Sequence, residues 1–171
     1  MISENEAIQL VKNTSKYAHA LMVSAMMAEV AKELEEDLKL WKIVGLLHDI
    51  DYDEVGGDMR KHGVVAAEKL KGVLPEEAVY SIKAHDYRTG FEPKSKLDKA
   101  LIAADSATVL IEKMRGTGKE LTAKTLLAEI TNTSAAAPWH RNNTMKCAEI
   151  GLSLDKFLKI CLNAMEQVAQ P

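Results

Sequence analysis

The apolar residues of this chain recur at intervals of three and four and do not alternate, a spacing that lines one face of a helix and no face of a strand. Aromatic residues, which strands favour, make up only 5% of the chain. The expectation is therefore an all-α fold with no strand. A length of 171 residues suits one domain over 1–171 and leaves no room for a second catalytic module. With 47% apolar and 27% charged residues, the composition is that of a packed globule and excludes a disordered chain.

Helix boundaries follow from capping chemistry. Ser3 and Glu6 form a capping box for a short first helix, and a long second helix runs from about Thr14 to Leu34. A third starts at Asp37, carries Leu38, Trp41, Val44 and Leu47 on one side, and ends at His48-Asp49 before an acidic loop, Ile50 to Gly57. Asp58 is the expected N-cap of a fourth helix closing at Gly72, and Pro75 opens a fifth that reaches about His85. After a loop from Asp86 to Lys94, Ser95 and Asp98 cap a strongly apolar helix from Lys96 to Met114. Leu121 to Ile130 reads as a further helix, and Thr131 to Asn143 as a connection broken at Pro138, with Trp139-His140-Arg141 in a surface loop. Ser153 and Asp155 start a last helix with Leu154, Phe157, Leu158, Cys161, Leu162 and Met165 as its apolar face.

Charge and cysteine content narrow the partners. Lys+Arg 22 against Asp+Glu 25 gives a net charge of -3, so no basic field favours nucleic acid or an anionic membrane, and any phosphate must be held locally. Cys147 and Cys161 cannot make a disulfide framework, the N-terminus lacks a basic signal-peptide region, and no apolar run approaches a membrane span. Together these predict an unanchored cytoplasmic protein; its oligomeric state stays open.

Four of the five histidines, His19, His48, His62 and His85, lie in the first half, and two of them precede Asp. Alone, His19 is in register with Met22, Val23 and Met26 and reads as a core histidine bonded to a backbone carbonyl. Asp105 falls within the apolar face of its helix, where a lone carboxylate would cost several kcal/mol or more, so either a buried Lys or Arg or a metal ion should meet it. His48-Asp49 stands at a helix end, where the turning backbone lets two adjacent side chains converge on one ion. His62, after Arg60-Lys61, also fits a solvated basic turn, and His85 fits a C-cap. Imidazole with carboxylate suits divalent Mn, Fe, Co, Ni or Zn, with Mg in the same range.

The ordered set His19, His48-Asp49 and Asp105 resembles the HD superfamily of metal-dependent phosphohydrolases. Gly45-Leu46-Leu47-His48-Asp49-Ile50 is similar to the hallmark of that family, and Ala103-Ala104-Asp105 to its terminal Asp motif. The likeness covers about 14–115; a helical extension, about 120–171, carries no motif of the family. It implies a helical bundle of the HD-domain type. By resemblance, His19, His48, Asp49 and Asp105 hold one ion, while His62 and His85 hold a second with Asp49 as bridge. Many members continue with Gly where this chain has Asp51-Tyr52-Asp53, and the mononuclear nucleotidases carry Glu where it has Tyr52, so their acid/base assignment does not transfer. Asp49 and Asp53 are the catalytic candidates, with Asp51 an alternative to Asp53 and a solvated acidic loop the plain reading of both.

The resemblance implies hydrolysis of a small phosphorylated substrate, a nucleotide or other phosphoester, by a metal-activated water. This agrees with the absence of a serine elbow and of a glycine-rich phosphate loop. Arg60, Lys61 and Arg88 are the candidates for gripping the substrate phosphate, with surface ion pairs as their alternative. Two other readings share the ligand set: an HD-fold di-iron oxygenase, and a non-catalytic metal or nucleotide sensor.

Overall fold

A computed structural model describes residues 2–132 and 138–168. All regular structure among these residues is helical, and a single isolated bridge pairs Lys71 with Leu74. Helix α1 (Glu4–Val11) begins at the Ser3–Glu6 capping box, and α2 (Tyr17–Glu33) follows across a short turn. Helix α3 (Leu38–Leu47) is capped by Asp37, whose carboxylate accepts the Leu40 N–H at 2.9 Å. Helices α2 and α3 pack so closely that a β-carbon on Gly45 would lie 2.7 Å from the Ser24 Cα.

The chain then turns through residues 48–63 before α4 (Val64–Leu70) and α5 (Glu76–Ala84). A short 3-10 turn, Tyr87–Thr89, leads to α6 (Lys96–Arg115), opened by the Ser95–Asp98 capping box. Along α6, Leu97, Leu101, Leu110 and Ile111 are buried, and the helix packs against α2 and α5. Helices α7 (Ala123–Asn132), α8 (Pro138–Thr144) and α9 (Lys146–Glu149) follow, and α10 (Leu154–Val168) lies against α2 and α7. One apolar core runs through all of this, from Ala7 to Met165. No helix among the described residues is long and apolar enough to cross a membrane.

Two sequence expectations are corrected. Helix α4 does not start at Asp58. It starts after Gly63, whose φ of +79° interrupts any helix running through it, while Asp58 pairs with Arg60 and Lys61 instead. The stretch from Thr131 to Asn143 is not simply a connection: Thr131 and Asn132 finish α7, and α8 begins at Pro138, a position where a missing N–H costs the helix nothing. Trp139, His140 and Arg141 thus stand on a helix. Residues 133–137 of that expected connection lie outside the described residues.

Candidate metal centre

Four helices and one turn bring six side chains together. His19 comes from α2, and His48 is the C-cap residue of α3 with Asp49 next to it. His62 immediately precedes the start of α4, His85 is the C-cap residue of α5, and Asp105 lies on α6. All four imidazoles are buried.

Each ring turns Nδ1 outward to an acceptor. The Nδ1–H of His48 donates to the Gly45 carbonyl at 2.8 Å, and that of His85 to the Ile82 carbonyl at 2.6 Å, the same device at two helix ends. His62 donates through Nδ1 to Asp51 at 2.9 Å, and His19 to Glu112 at 3.3 Å. The four Nε2 atoms are thereby aimed inward. His19 Nε2 is 3.0 Å from Asp105 Oδ1 and 3.9 Å from Asp49 Oδ2. Asp49 Oδ1 lies 2.9 Å from His62 Nε2, 3.3 Å from His48 Nε2 and 3.5 Å from His85 Nε2. His62 and His85 bring their Nε2 atoms to 3.1 Å of each other.

The electrostatics follow from this packing. Burial pushes His48 down to about 4, so its ring is neutral at physiological pH. Burial also opposes charge on His19 and His62, but Asp105 and Glu112 push the first up to about 10, and Asp49 and Asp51 push the second up to about 9. Against its own burial, Asp49 is held well below the carboxylate range by His48, His62 and His85. In the metal-free chain, protons thus stand where cations would otherwise balance the carboxylates.

These residues suit a divalent ion on two counts. His48 Nε2 is buried without a hydrogen-bond partner, an expensive condition that a ligand relieves. Imidazoles whose Nδ1–H groups are fixed by carbonyls or carboxylates have the outer-sphere arrangement of histidine metal ligands. Two groups have their ligand atoms within 4.8 Å of one another: His19 with His48 and Asp105, and His48 with Asp49 and His85. Asp49 faces His19 with one oxygen and His48, His62 and His85 with the other.

A cavity of about 370 Å³ opens onto this cluster, with Asp49, His62, His85 and Asp105 in its wall. Arg88 lines it too, but Asp86 clamps the guanidinium, accepting from its Nε at 2.9 Å and 3.1 Å. Arg60 and Lys61 do not line it; both are exposed and ion-paired with Asp58. Nor does Asp53, which sits on the surface bonded to Ser15. Asp51 is completely buried, so the solvated-loop reading does not hold for it.

The sequence reading passed over two residues. Lys16 lies on the cavity wall, its Nζ 3.8 Å from Asp49 Oδ2 and 3.9 Å above the Tyr52 ring. Its signal was its place three residues before His19, near one helix face. Glu112 lies about two turns beyond Asp105 on α6, a spacing that puts both on one face toward His19. Among the described residues Asp105 pairs with His19 where a buried Lys or Arg was the alternative to a metal, and His19 bonds two carboxylates, not the backbone carbonyl expected of it.

Comparison with known proteins places the chain in a family. A stretch of 93 residues is 38% identical to Ribonuclease Y of Desulfotalea psychrophila, covering 52% of this chain and 17% of that protein, so the chain matches less than a fifth of the relative's length. No solved structure matches. A sequence model of the HD domain matches residues 17–110, more than half of the chain and the whole span from His19 to Asp105, and the chain belongs to the HD domain family.

Proposed function

We propose that this protein is a metal-dependent phosphohydrolase that takes a nucleotide or other small phosphoester. The observation that carries the reading is the inward convergence of four imidazole Nε2 atoms on Asp49 and Asp105, with His48 Nε2 left without a partner. His19, His48, Asp49 and Asp105 would hold one divalent ion, and His62 and His85 a second that shares Asp49. When bound, such ions supply a nucleophilic water near neutral pH and offset phosphoryl charge. The chain's own residues do the rest. Lys16 and Arg88 place positive charge on the cavity wall for the phosphate, and Glu112, Gly45 and Ile82 keep the ligand rings in register.

A nucleotide is favoured by the rim. Tyr52, Tyr87 and Trp139 are the described aromatic side chains more than a third exposed, at 37%, 64% and 40%, and all three line this cavity. An exposed aromatic rim beside the polar wall of Asp49, His62, His85 and Asp105 suits a base that stacks. Likeness to a protein named as a ribonuclease adds an RNA phosphodiester to the substrates worth trying.

The test is elemental analysis of protein purified without chelator, followed by phosphate release from a panel of nucleotides, short RNA and non-aromatic phosphoesters. His48→Ala and Asp49→Ala should lose metal and hydrolysis while keeping helical content. Unchanged metal content in both variants sinks the site. Oxygen uptake without phosphate release sinks the hydrolase.

A further inference from the structure

Asp51 follows the metal-ligand pair His48-Asp49 by two residues, yet it faces away from the cavity and is 0% exposed, while Asp53 and Glu54 beside it are open to solvent. A carboxylate taken out of water must find strong partners. Its two oxygens divide the task. Oδ2 accepts the backbone N–H of Gly63 at 2.8 Å and of Ala66 at 3.0 Å, which are N-terminal donors of α4. Helix α4 has no side-chain cap of its own, so Asp51 caps it from a distant loop. Oδ1 accepts from Nδ1 of His62 at 2.9 Å.

An ionised carboxylate can only accept, so the atom facing it must carry a proton. Asp49 faces Nε2 at the same distance, 2.9 Å, so without an ion both nitrogens call for a proton; once an ion takes the Asp49 side, Asp51 keeps the proton of the neutral ring on Nδ1 and leaves the Nε2 lone pair turned inward. We infer that Asp51 is a positioning residue that selects the ligating nitrogen of His62 and ties it to the start of α4. The inference rests on the metal-dependent reading above, since a bound ion is what sets Nε2 apart from Nδ1 between two carboxylates.

Asparagine at this position exposes the logic. It offers one acceptor and one donor, and the two backbone N–H groups of α4 claim the acceptor. Its amide N–H then faces His62 Nδ1, which must become the acceptor, and the ring proton moves to Nε2. That removes the lone pair directed at Asp49 and His85.

The full-length chain is loaded with Zn²⁺ or Co²⁺ alone, wild type beside Asp51→Asn, and stoichiometry and affinity are measured. The variant should bind the His62 ion about 10- to 100-fold more weakly, the usual loss when such an outer partner is removed, and keep the other. Combining Asp51→Asn with His62→Ala should add no further loss, because Asp51 acts through that ring. Nitrogen-15 NMR of the Zn²⁺-loaded protein should show His62 with its proton on Nδ1 and its Nε2 unprotonated in the wild type, and should lose that pattern in the variant. Wild-type affinity for both ions with an unchanged ring tautomer in the variant overturns the inference and leaves Asp51 a helix cap. Should Asp51→Asn fail to fold, a Zn²⁺-loaded wild-type ring protonated at Nε2 overturns it equally. If the wild type binds no metal, the phosphohydrolase reading fails and takes this inference with it, whereas metal bound with an unmoved His62 proton overturns the inference alone.

Discussion

Gly63 presses against the ring of His85: a β-carbon at position 63 would stand 2.9 Å from His85 Nδ1 and 2.6 Å from the Ile82 carbonyl oxygen. That carbonyl is also the acceptor that orients His85. With φ at +79°, the position disfavours any side chain even before the clash. Gly63→Ala should therefore cost more than about 1 kcal/mol from the backbone alone and also displace His85. Urea unfolding together with metal stoichiometry checks both. Wild-type stability with intact metal binding would show that the contact has slack.

Metal uptake should release protons. His19 and His62 are raised from 6.5 to about 10 and about 9, so in the metal-free chain their charged forms stabilise the fold fully below pH 6.5. That contribution fades as pH rises through about 9 for His62 and about 10 for His19. An ion needs those nitrogens unprotonated, so binding should tighten with rising pH and expel protons at neutrality. Calorimetry in two buffers of different ionisation heat measures the release, and a value of zero contradicts the coupling.

Lys16 and Arg88 should differ in kinetics. Lys16 stands beside Asp49 at the reacting end, so Lys16→Met should lower kcat by about 10- to 100-fold, the scale of one charge-assisted hydrogen bond, with metal content unchanged. Arg88 is fixed by Asp86 in one orientation and should bind ground and transition states alike. Arg88→Ala should then raise KM and leave kcat nearly unchanged. Steady-state kinetics on a phosphate substrate separates the two, and wild-type values for either variant remove that residue from the site.

Both thiols should be silent in the folded protein. Cys147 and Cys161 are 0% exposed, and burial pushes Cys147 up to about 11 and Cys161 further still. A colorimetric thiol reagent at pH 8 should find neither in the native chain and both in urea. Rapid native labelling would contradict the packing around α9 and α10.

Much of this architecture was legible because it rests on local chemistry. Ser3 with Glu6, Asp37, and Ser95 with Asp98 each cap a helix through bonds reaching three residues ahead, which a sequence displays directly. The grouping of His19, His48, Asp49, His62, His85 and Asp105 was legible through the resemblance to the HD superfamily; taken singly, His19 fits a core histidine, His62 a basic turn and His85 a C-cap equally well. What escaped depends on distant partners. Asp58 has the right type for a cap, but Asp51 takes that role by reaching Gly63 and Ala66, and only the packing of α4 on α5 reveals it. The spacing of Lys16 from His19 hinted at a shared face, but that it meets Asp49 depends on how α2 packs against α3. Arg60 and Lys61 looked close to the site by numbering, yet the turn at Gly63 carries them outward to Asp58.

His19 and Asp105 are 86 positions apart along the chain and 3.0 Å apart in space. An ion held between them would act as a cross-link closing half of the polypeptide into a ring, with α3, α4 and α5 inside it and α7 to α10 beyond it. Unlike a disulfide, such a fastener acts only while the chain is folded, stabilising it by binding that state alone, and a chelator can open it. The loaded protein should accordingly resist proteolysis most within the ring, and stripping the ion should expose that segment first.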